Sequence, residues 1–237
     1  MNIIQVSYPE VFTKPWLWSG KFYDFHSDEE LTEFVATLAA SGTAAVLDTA
    51  GSAHYGVARL SGAATTDNSG ANIHQDAETI ALVTGKTTLF TARFQLNETT
   101  STNGATESDF FAGIALQDTA WFSGEPTDGI YFRKNEGDAY LDCVVVRDDV
   151  EVGLSLAVAT LATGTWYTLE IVVDMEATAG AGTAYFYLDG TLVGTLYSAT
   201  MPYSAEEGLA MTAEFITGDN TGTKWCDVDY IGAWVQR

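Results

Sequence analysis

The sequence predicts an all-β protein made of two antiparallel sheets packed face to face, and two observations carry this prediction. Residues 166–175 alternate, with Tyr167, Leu169, Ile171, Val173 and Met175 on one face and Thr168, Glu170 and Asp174 on the other, which is typical of a strand with one buried face. Asp189-Gly190 then offers the two residues that a tight type I′ hairpin prefers, directly after a second alternating run over 183–188. Many short strands with closely spaced turns indicate a two-sheet sandwich.

The same alternation and turn residues place strands along most of the chain. Residues 147–150 predict a tight hairpin and residues 135–138 another turn. The predicted strands, with approximate bounds, are 44–48, 55–61, 71–76, 79–83, 87–97, 109–118, 128–134, 139–147, 150–158, 166–175, 183–189, 191–197, 208–217 and 224–236.

One short helix is predicted over residues 28–40. Ser27 and Glu30 have the spacing of a capping box, in which each side chain satisfies a backbone N–H of the first turn. Gly42 is a suitable residue to end the helix. Apolar residues follow the cap at helical spacing, namely Leu31, Phe34, Val35 and Leu38. We expect this helix to cover one end or one face of the sandwich.

Residues 1–20 are predicted to form an extended arm, and residues 21–237 the sandwich domain. The arm combines prolines with apolar residues that show no period. Four of its residues are candidate partner-binding anchors, because exposed apolar side chains are costly unless something covers them: Ile3, Ile4, Trp16 and Trp18. The arm either docks on a partner or packs on its own sandwich, and the sequence leaves both alternatives open.

The charge of the chain excludes several classes of partner. The formal net charge is −22 over 237 residues, with only 10 Lys and Arg. Such a surface repels nucleic acid and anionic membranes. No apolar run is long enough for a membrane helix, and the N-terminal residues do not have the pattern of a signal peptide. We therefore expect synthesis in a cytoplasm.

The two cysteines, Cys143 and Cys226, lie in no metal-binding motif. We interpret both as buried, reduced thiols. The sequence does not decide whether they form a bridge.

No catalytic residue is predicted. Retaining glycosidases need two carboxylates a short distance apart, and on a strand this gives an E-x-D-x-x-E pattern that the chain lacks. Asp227 and Asp229 are the nearest approach, and we expect them to face solvent with Lys224 near. The histidines belong to no recognisable nucleophile motif, and the chain has no dinucleotide or phosphate-binding loop.

Two further kinds of binding site are considered. Oxygen ligands for Ca²⁺ could come from Asp67, Asn68, Asp219 and Asn220, although the same residues are those of ordinary tight turns. No other cofactor is expected. Glycan binding would need aromatic side chains at strand ends or in loops, and the candidates are Trp121, Phe122, Tyr203 and Trp225. Aromatic residues in such places also seal the edges of sandwiches.

The strand pair at 166–190 carries a W-x-x-L-x-I … F-Y-x-D-G run that resembles the concanavalin A-like (laminin-G-like) β-sandwich family. The closing segment VDYIGAWVQR resembles the last strand of that family. The resemblance implies a jelly-roll sandwich. It does not imply one function, because this fold is found in lectins, glycosidases and structural modules.

Three segments narrow the resemblance: GANIHQDAETIALVTGKTTLFTARFQLNETT, SDFFAGIALQDT and TDGIYFRKNEGDAYLDCVVVRD. In order and spacing they are similar to capsid-associated structural proteins of tailed bacteriophages, over roughly residues 44–236. This implies a non-enzymatic capsid decoration protein on the outer surface of a phage head, made in the host cytoplasm. Its partners would be the major capsid protein and further copies of itself. The alternative is a glycan-binding, lectin-like module, and a third reading is a divergent glycoside hydrolase.

Overall fold

The computed structural model describes residues 17–25, 31–47, 56–64, 66–98, 106–116, 126–178, 180–202, 208–218 and 222–237. They form fifteen β-strands in two antiparallel sheets, which confirms the predicted all-β sandwich. The strands are numbered here in chain order.

The eight-stranded sheet contains both ends of the described chain. Its order is β13 (Thr191–Ser198), β12 (Gly182–Leu188), β11 (Trp166–Met175), β6 (Thr87–Glu98), β15 (Lys224–Gln236), β4 (Val57–Ser61) and β3 (Thr43–Leu47). The eighth strand, β1 (Trp18–Tyr23), pairs with the second half of β15, beyond the part that pairs with β4.

The seven-stranded sheet packs against it. Its order is β10 (Val150–Thr160), β9 (Tyr140–Arg147), β8 (Gly129–Lys134), β7 (Ser108–Ala115), β14 (Ala210–Thr217), β5 (Gly70–Gln75) and β2 (Phe34–Ala39).

The core lies between the two sheets and follows the alternation read from the sequence. The inward face of β11 carries Leu169, Ile171 and Val173, all essentially buried. Across the sandwich the rings of Phe94 and Phe110 are stacked with centroids 4.3 Å apart. The Asp189-Gly190 hairpin is as predicted, with both residues at positive φ (49° and 75°).

The predicted helix over 28–40 is wrong. Phe34–Ala39 forms strand β2, an edge strand that pairs antiparallel with β5. Pairing satisfies one side of its backbone, and Leu38, which a helix would have turned inward, is 52% exposed. Residues 26–30, including the predicted cap, lie outside the described residues. Within the described ranges no helix has the length and apolar character needed to cross a membrane.

The predicted boundary at residue 20 falls inside a strand. Trp18 pairs with Gln236, so β1 begins two residues before the predicted end of the arm. The backbone N–H of Arg237 donates to the carbonyl of Leu17 at 2.8 Å, which extends this pairing. The sandwich therefore includes residues 18–20.

Cys143 and Cys226 are buried, unbridged thiols in β9 and β15, strands of different sheets. Burial raises the pKa of the Cys143 thiol to about 12. Both side chains act as core residues.

Candidate functional site

The outward face of the seven-stranded sheet is the candidate site, because its residues are buried although no sheet formed by the described residues packs on it. Every residue of β5 and of β14 is buried on both faces. In a β-sandwich, one face of each sheet normally faces solvent and carries exposed polar residues. Here the outward-pointing side chains include a second apolar cluster, formed by Phe111, Ala115, Tyr131, Val144 and Val146.

Strand register brings four polar side chains together at the centre of this face. Thr212 of β14 lies opposite His74 of β5, and Glu214 lies opposite Asn72. All four are at most 6% exposed. We call Asn72, His74, Thr212 and Glu214 the polar quartet.

The Asn72 amide connects the quartet. Its Nδ2 donates to Thr212 Oγ1 at 3.2 Å and to Glu214 Oε2 at 3.4 Å. Its Oδ1 lies 3.0 Å from His74 Nδ1. A carbonyl oxygen only accepts, so His74 Nδ1 carries the hydrogen, and in the neutral ring Nε2 keeps a lone pair.

The environment favours the uncharged forms of both titratable members. Burial raises the pKa of Glu214 well above its ordinary value of 4.5; the Asn72 hydrogen bond opposes this and the charge of Asp109 adds to it. Burial lowers the pKa of His74 below 6.5, although Asp76 acts in the opposite direction. Burial thus works against a charge on either Glu214 or His74.

Aromatic residues extend the site along the same rows of the sheet. Gly113 lies between Thr212 and Tyr131, and Phe111 lies beside Glu214. The Phe111 and Tyr131 rings have centroids 5.4 Å apart. A Cβ on Gly113 would be 2.5 Å from the Cβ of Tyr131, so only glycine allows this packing. Burial raises the pKa of Tyr131 and keeps its phenol protonated.

Arg133 of β8 lies directly opposite Phe111 in the register, at the end of the same row of outward side chains. Its guanidinium donates to Glu151 at 2.7 Å and lies 3.7 Å from a carboxylate oxygen of Asp142. The arginine charge is therefore compensated by two acids. Together the quartet, the two rings and this cluster form a strip that is polar at both ends and aromatic in the middle.

Of the glycan-binding residues predicted from sequence, only Trp225 can be placed, and it does not lie on this face. Trp225 belongs to β15 of the other sheet, where the Arg59 guanidinium lies 4.6 Å from its ring centroid. Its Nε1 donates to Asp227 at 3.2 Å. Trp121, Phe122 and Tyr203 lie outside the described residues.

Asp227 and Asp229 are held in ion pairs. Asp227 is fully buried and accepts two hydrogen bonds from Arg59, at 2.7 and 2.8 Å. The expectation that Asp227 faces solvent is therefore wrong, because Arg59 of β4 lies directly opposite it in the register. Asp229 pairs with Arg93 at 2.5 Å, and Lys224 pairs with neither aspartate but with Glu107, at 3.7 Å.

The predicted calcium ligands that can be placed form an ordinary turn. Asp67 is exposed, and its Oδ1 accepts from the backbone N–H of Asn68, which has a φ of 52°. Among the described residues no three His, Cys, Asp or Glu side chains cluster as metal ligands would. Asp219 and Asn220 lie outside the described residues.

Of the predicted partner-binding anchors, only Trp18 can be placed. It is 6% exposed and packs against Leu89 and Trp234 on the eight-stranded sheet, so it is not an exposed anchor. Ile3, Ile4 and Trp16 lie outside the described residues.

Comparison with solved structures places the fold among concanavalin A-like sandwiches, and both enzymes and a lectin share it. An endo-1,3-β-glucanase from Streptomyces sioyaensis superposes with a TM-score of 0.63 at 12% identity, covering 93% of this chain and 97% of that one. An endo-β-1,4-glucuronan lyase from the fungus Trichoderma reesei gives 0.62 at 14%, covering 90% and 94%. Peanut lectin gives 0.59 at 12%, covering 92% and 97%. No protein-family model and no curated protein sequence matches the chain.

The sequence contained a signal for the quartet that the search for acid pairs missed. In the run Ala-Asn-Ile-His, Asn72 and His74 are two residues apart and flank the core residue Ile73, so they share the outward face of one strand. Their meeting with Glu214 depends on the pairing of β5 with β14, which are about 140 residues apart in the chain.

Proposed function

We propose that this protein binds a glycan along the outward face of the seven-stranded sheet. The observation that carries the proposal is the polar quartet, a buried, hydrogen-bonded set of donors and acceptors beside Phe111 and Tyr131. Sugar rings offer hydroxyl groups to such polar atoms and C–H faces to aromatic rings. A pocket with a few convergent polar groups in an aromatic setting is the usual form of a small-ligand site.

The charge of the chain favours an uncharged ligand. At −22, the protein repels polyanions such as uronic acid polymers over a distance set by the ionic strength. On the outward face Arg133 is already compensated by Glu151 and Asp142. The names of the similar folds, a glucanase and a lectin among them, support a glycan as the ligand class.

The test is affinity electrophoresis in gels that contain a β-1,3-glucan, with a β-1,4-glucuronan as the charged comparison. Asn72→Ala removes the amide that connects the quartet, and we expect its affinity for the neutral glucan to fall at least about tenfold, the loss of one to two net hydrogen bonds. Asn97→Ala is the matched control, since Asn97 lies on the other sheet, where its amide donates to Gln95 at 3.1 Å. Equal mobility of both variants and the wild type would refute this location for the site.

A second candidate function is hydrolysis of the bound glycan, with Glu214 as the acid. Asp109 lies on β7, diagonally across the strand pair from Glu214, since Ile216 is its direct partner. Diagonal neighbours have backbone positions about 7–8 Å apart, so the two side chains lie on one face within reach of a common substrate. Inverting glycosidases pair an acid of raised pKa with a second carboxylate, and burial raises the pKa of Glu214.

Release of reducing ends from the β-1,3-glucan tests this candidate. Glu214→Gln should abolish turnover, whereas Glu170→Gln, a glutamate on the other sheet whose pKa burial also raises, should not change it. A product with a carbon–carbon double bond, formed from the glucuronan, would contradict hydrolysis. It would indicate elimination, with His74 Nε2 taking a proton from the sugar.

The location on a phage capsid, with the major capsid protein as partner, stays a prediction that rests on the sequence resemblance and on the acidic charge. The bounds of strand β1 determine which deletion tests this prediction. Removal of residues 1–16 leaves β1 complete, whereas removal of residues 1–20 would take three residues of that strand. If the arm docks the protein, the shorter deletion should abolish binding to capsids and leave the unfolding temperature unchanged; binding that persists would exclude the arm as anchor.

A further inference from the structure

We propose a second glycan-binding site on the outward face of the eight-stranded sheet, formed by the rings of Phe22, Tyr230 and Trp234. We call these three residues the aromatic platform. The platform lies on the opposite side of the sandwich from the polar quartet, so it is independent of the site proposed above.

The three rings form one continuous surface. Phe22 of β1 and Trp234 of β15 have ring planes 21° apart and centroids 6.1 Å apart. Tyr230 lies 5.3 Å from Phe22, tilted by 36°. Phe22 is 45% exposed and Trp234 is 9% exposed. The Phe22 ring therefore shows water an apolar area beside the largely buried ring of Trp234.

Glycines set the orientation of the rings. Phe22 lies opposite Gly232 in the register, and Trp234 lies opposite Gly20. A Cβ on Gly232 would be 2.9 Å from the Phe22 ring and 2.8 Å from the Trp234 ring. Both rings thus lie low over the sheet, where a larger residue would push them upright. Of the two, the Phe22 ring presents a face to solvent, since it is 45% exposed.

A β-bulge adds the polar part of the site. The register of β15 against β6 shifts between Val228 and Tyr230, which places Asp229 and Tyr230 beside each other at Arg93. Arg93 binds Asp229 at 2.5 Å and stacks on Trp166, with 4.7 Å from its guanidinium carbon to the ring centroid. Side-chain donors and acceptors therefore stand next to a flat apolar surface.

The occupant is an uncharged glycan chain. Among the described residues the charged groups beside the platform, Arg93 and Asp229, form an ion pair with each other, so the platform offers no uncompensated cation to an anionic glycan within a chain of net charge −22. The area is too small for a stable contact with a second copy of the chain. Three rings offer at most a few hundred Å², whereas a protein interface buries about 800 Å² per partner.

The test uses variants with the first site already weakened. In the Asn72→Ala background, we expect residual binding of the β-1,3-glucan in affinity electrophoresis, and addition of Phe22→Ala should lower it about tenfold, the value of one lost ring contact. Phe22→Leu is the second variant, because it keeps apolar cover over Gly232 without a flat ring. Tyr197→Ala is the matched control, an aromatic residue that is 58% exposed on the edge strand β13.

Each outcome decides the proposal. Loss of binding in both Phe22 variants, with unchanged thermal unfolding of the leucine variant and unchanged binding of the Tyr197 variant, supports it. Complete loss in Asn72→Ala alone would leave no second site and would overturn it. Residual binding that Phe22→Leu does not reduce would overturn it as well. So would sedimentation of the wild type as a dimer that Phe22→Leu converts to a monomer, because the platform would then be a self-association surface.

Discussion

Replacement of Asp227 by asparagine tests how the ion pair between Asp227 and Arg59 stabilises the eight-stranded sheet. The carboxylate is fully buried and accepts two hydrogen bonds from Arg59 and one from Trp225. Asparagine has the same shape but no charge, and its amide nitrogen cannot accept. Loss of one partner of a buried pair costs about 3–5 kcal/mol, because the other charge stays buried without compensation.

For this pair we expect a loss at the lower end of the range of about 3–5 kcal/mol. The side chain of Arg59 is 26% exposed, so water solvates part of the guanidinium when the carboxylate is lost. We expect the free energy of unfolding to fall by about 3 kcal/mol. At about 2–4 °C per kcal/mol for a chain of this size, the unfolding temperature should fall by about 6–12 °C.

Urea unfolding followed by circular dichroism measures the effect, and Asp229→Asn is the matched control. Asp229 and Arg93 are 29% and 39% exposed, and pairs of this kind contribute less than about 1 kcal/mol. Equal losses of unfolding free energy in the two variants would refute this reasoning, because they would show that burial does not determine how much an ion pair contributes to stability. Loss of glycan turnover in Asp227→Asn without loss of stability would refute a structural role and restore a catalytic one.

Two other substitutions test the outward face of the seven-stranded sheet. Glu214→Gln should stabilise the protein increasingly as pH rises above the ordinary value of 4.5, because the folded-state pKa is raised and the unfolded chain then ionises while the native carboxyl does not. Thermal scans at pH 4 and pH 8 measure this, and an equal shift at both pH values would contradict it. Gly113→Ala should cost about 1–3 kcal/mol and weaken glycan binding, since its Cβ would lie 2.3 Å from the Ile130 carbonyl oxygen. Gly153→Ala, whose Cβ would meet nothing closer than 3.4 Å, should be nearly neutral in the same urea titration.

The central strands could be predicted from the sequence because each has one face in the core. β11 was predicted at 166–175 and forms Trp166–Met175, since Leu169, Ile171 and Val173 alternate into the core. The edge strand β2 could not be predicted from the sequence, because Phe34, Val35 and Leu38 have a spacing that suits a helix as well. An edge strand needs little burial, and only the pairing with β5 decides between the two structures.

The candidate site was predicted less well, because its residues are joined by register rather than by sequence. Arg59 and Asp227 are 168 positions apart, and nothing local marks Asp227 as buried. Asn72 and His74 could be placed on one strand face, but their contact with Glu214 requires the order β5–β14–β7. A search for two acids on one strand could not find a site whose groups come from several strands.

The pairing of Trp18 with Gln236 has a practical consequence for how the molecule can be held. It brings the first and last described strands side by side, so a linker fused to Arg237 leaves from the sheet that carries the aromatic platform. Immobilised through such a linker, the protein has its platform, on β1 and β15, nearer the attachment point than the polar quartet on the opposite sheet. A sensor surface prepared in this way would hinder access of a long polymer to the platform more than access to the seven-stranded sheet. The two proposed sites could then be separated by the choice of attachment, without any substitution.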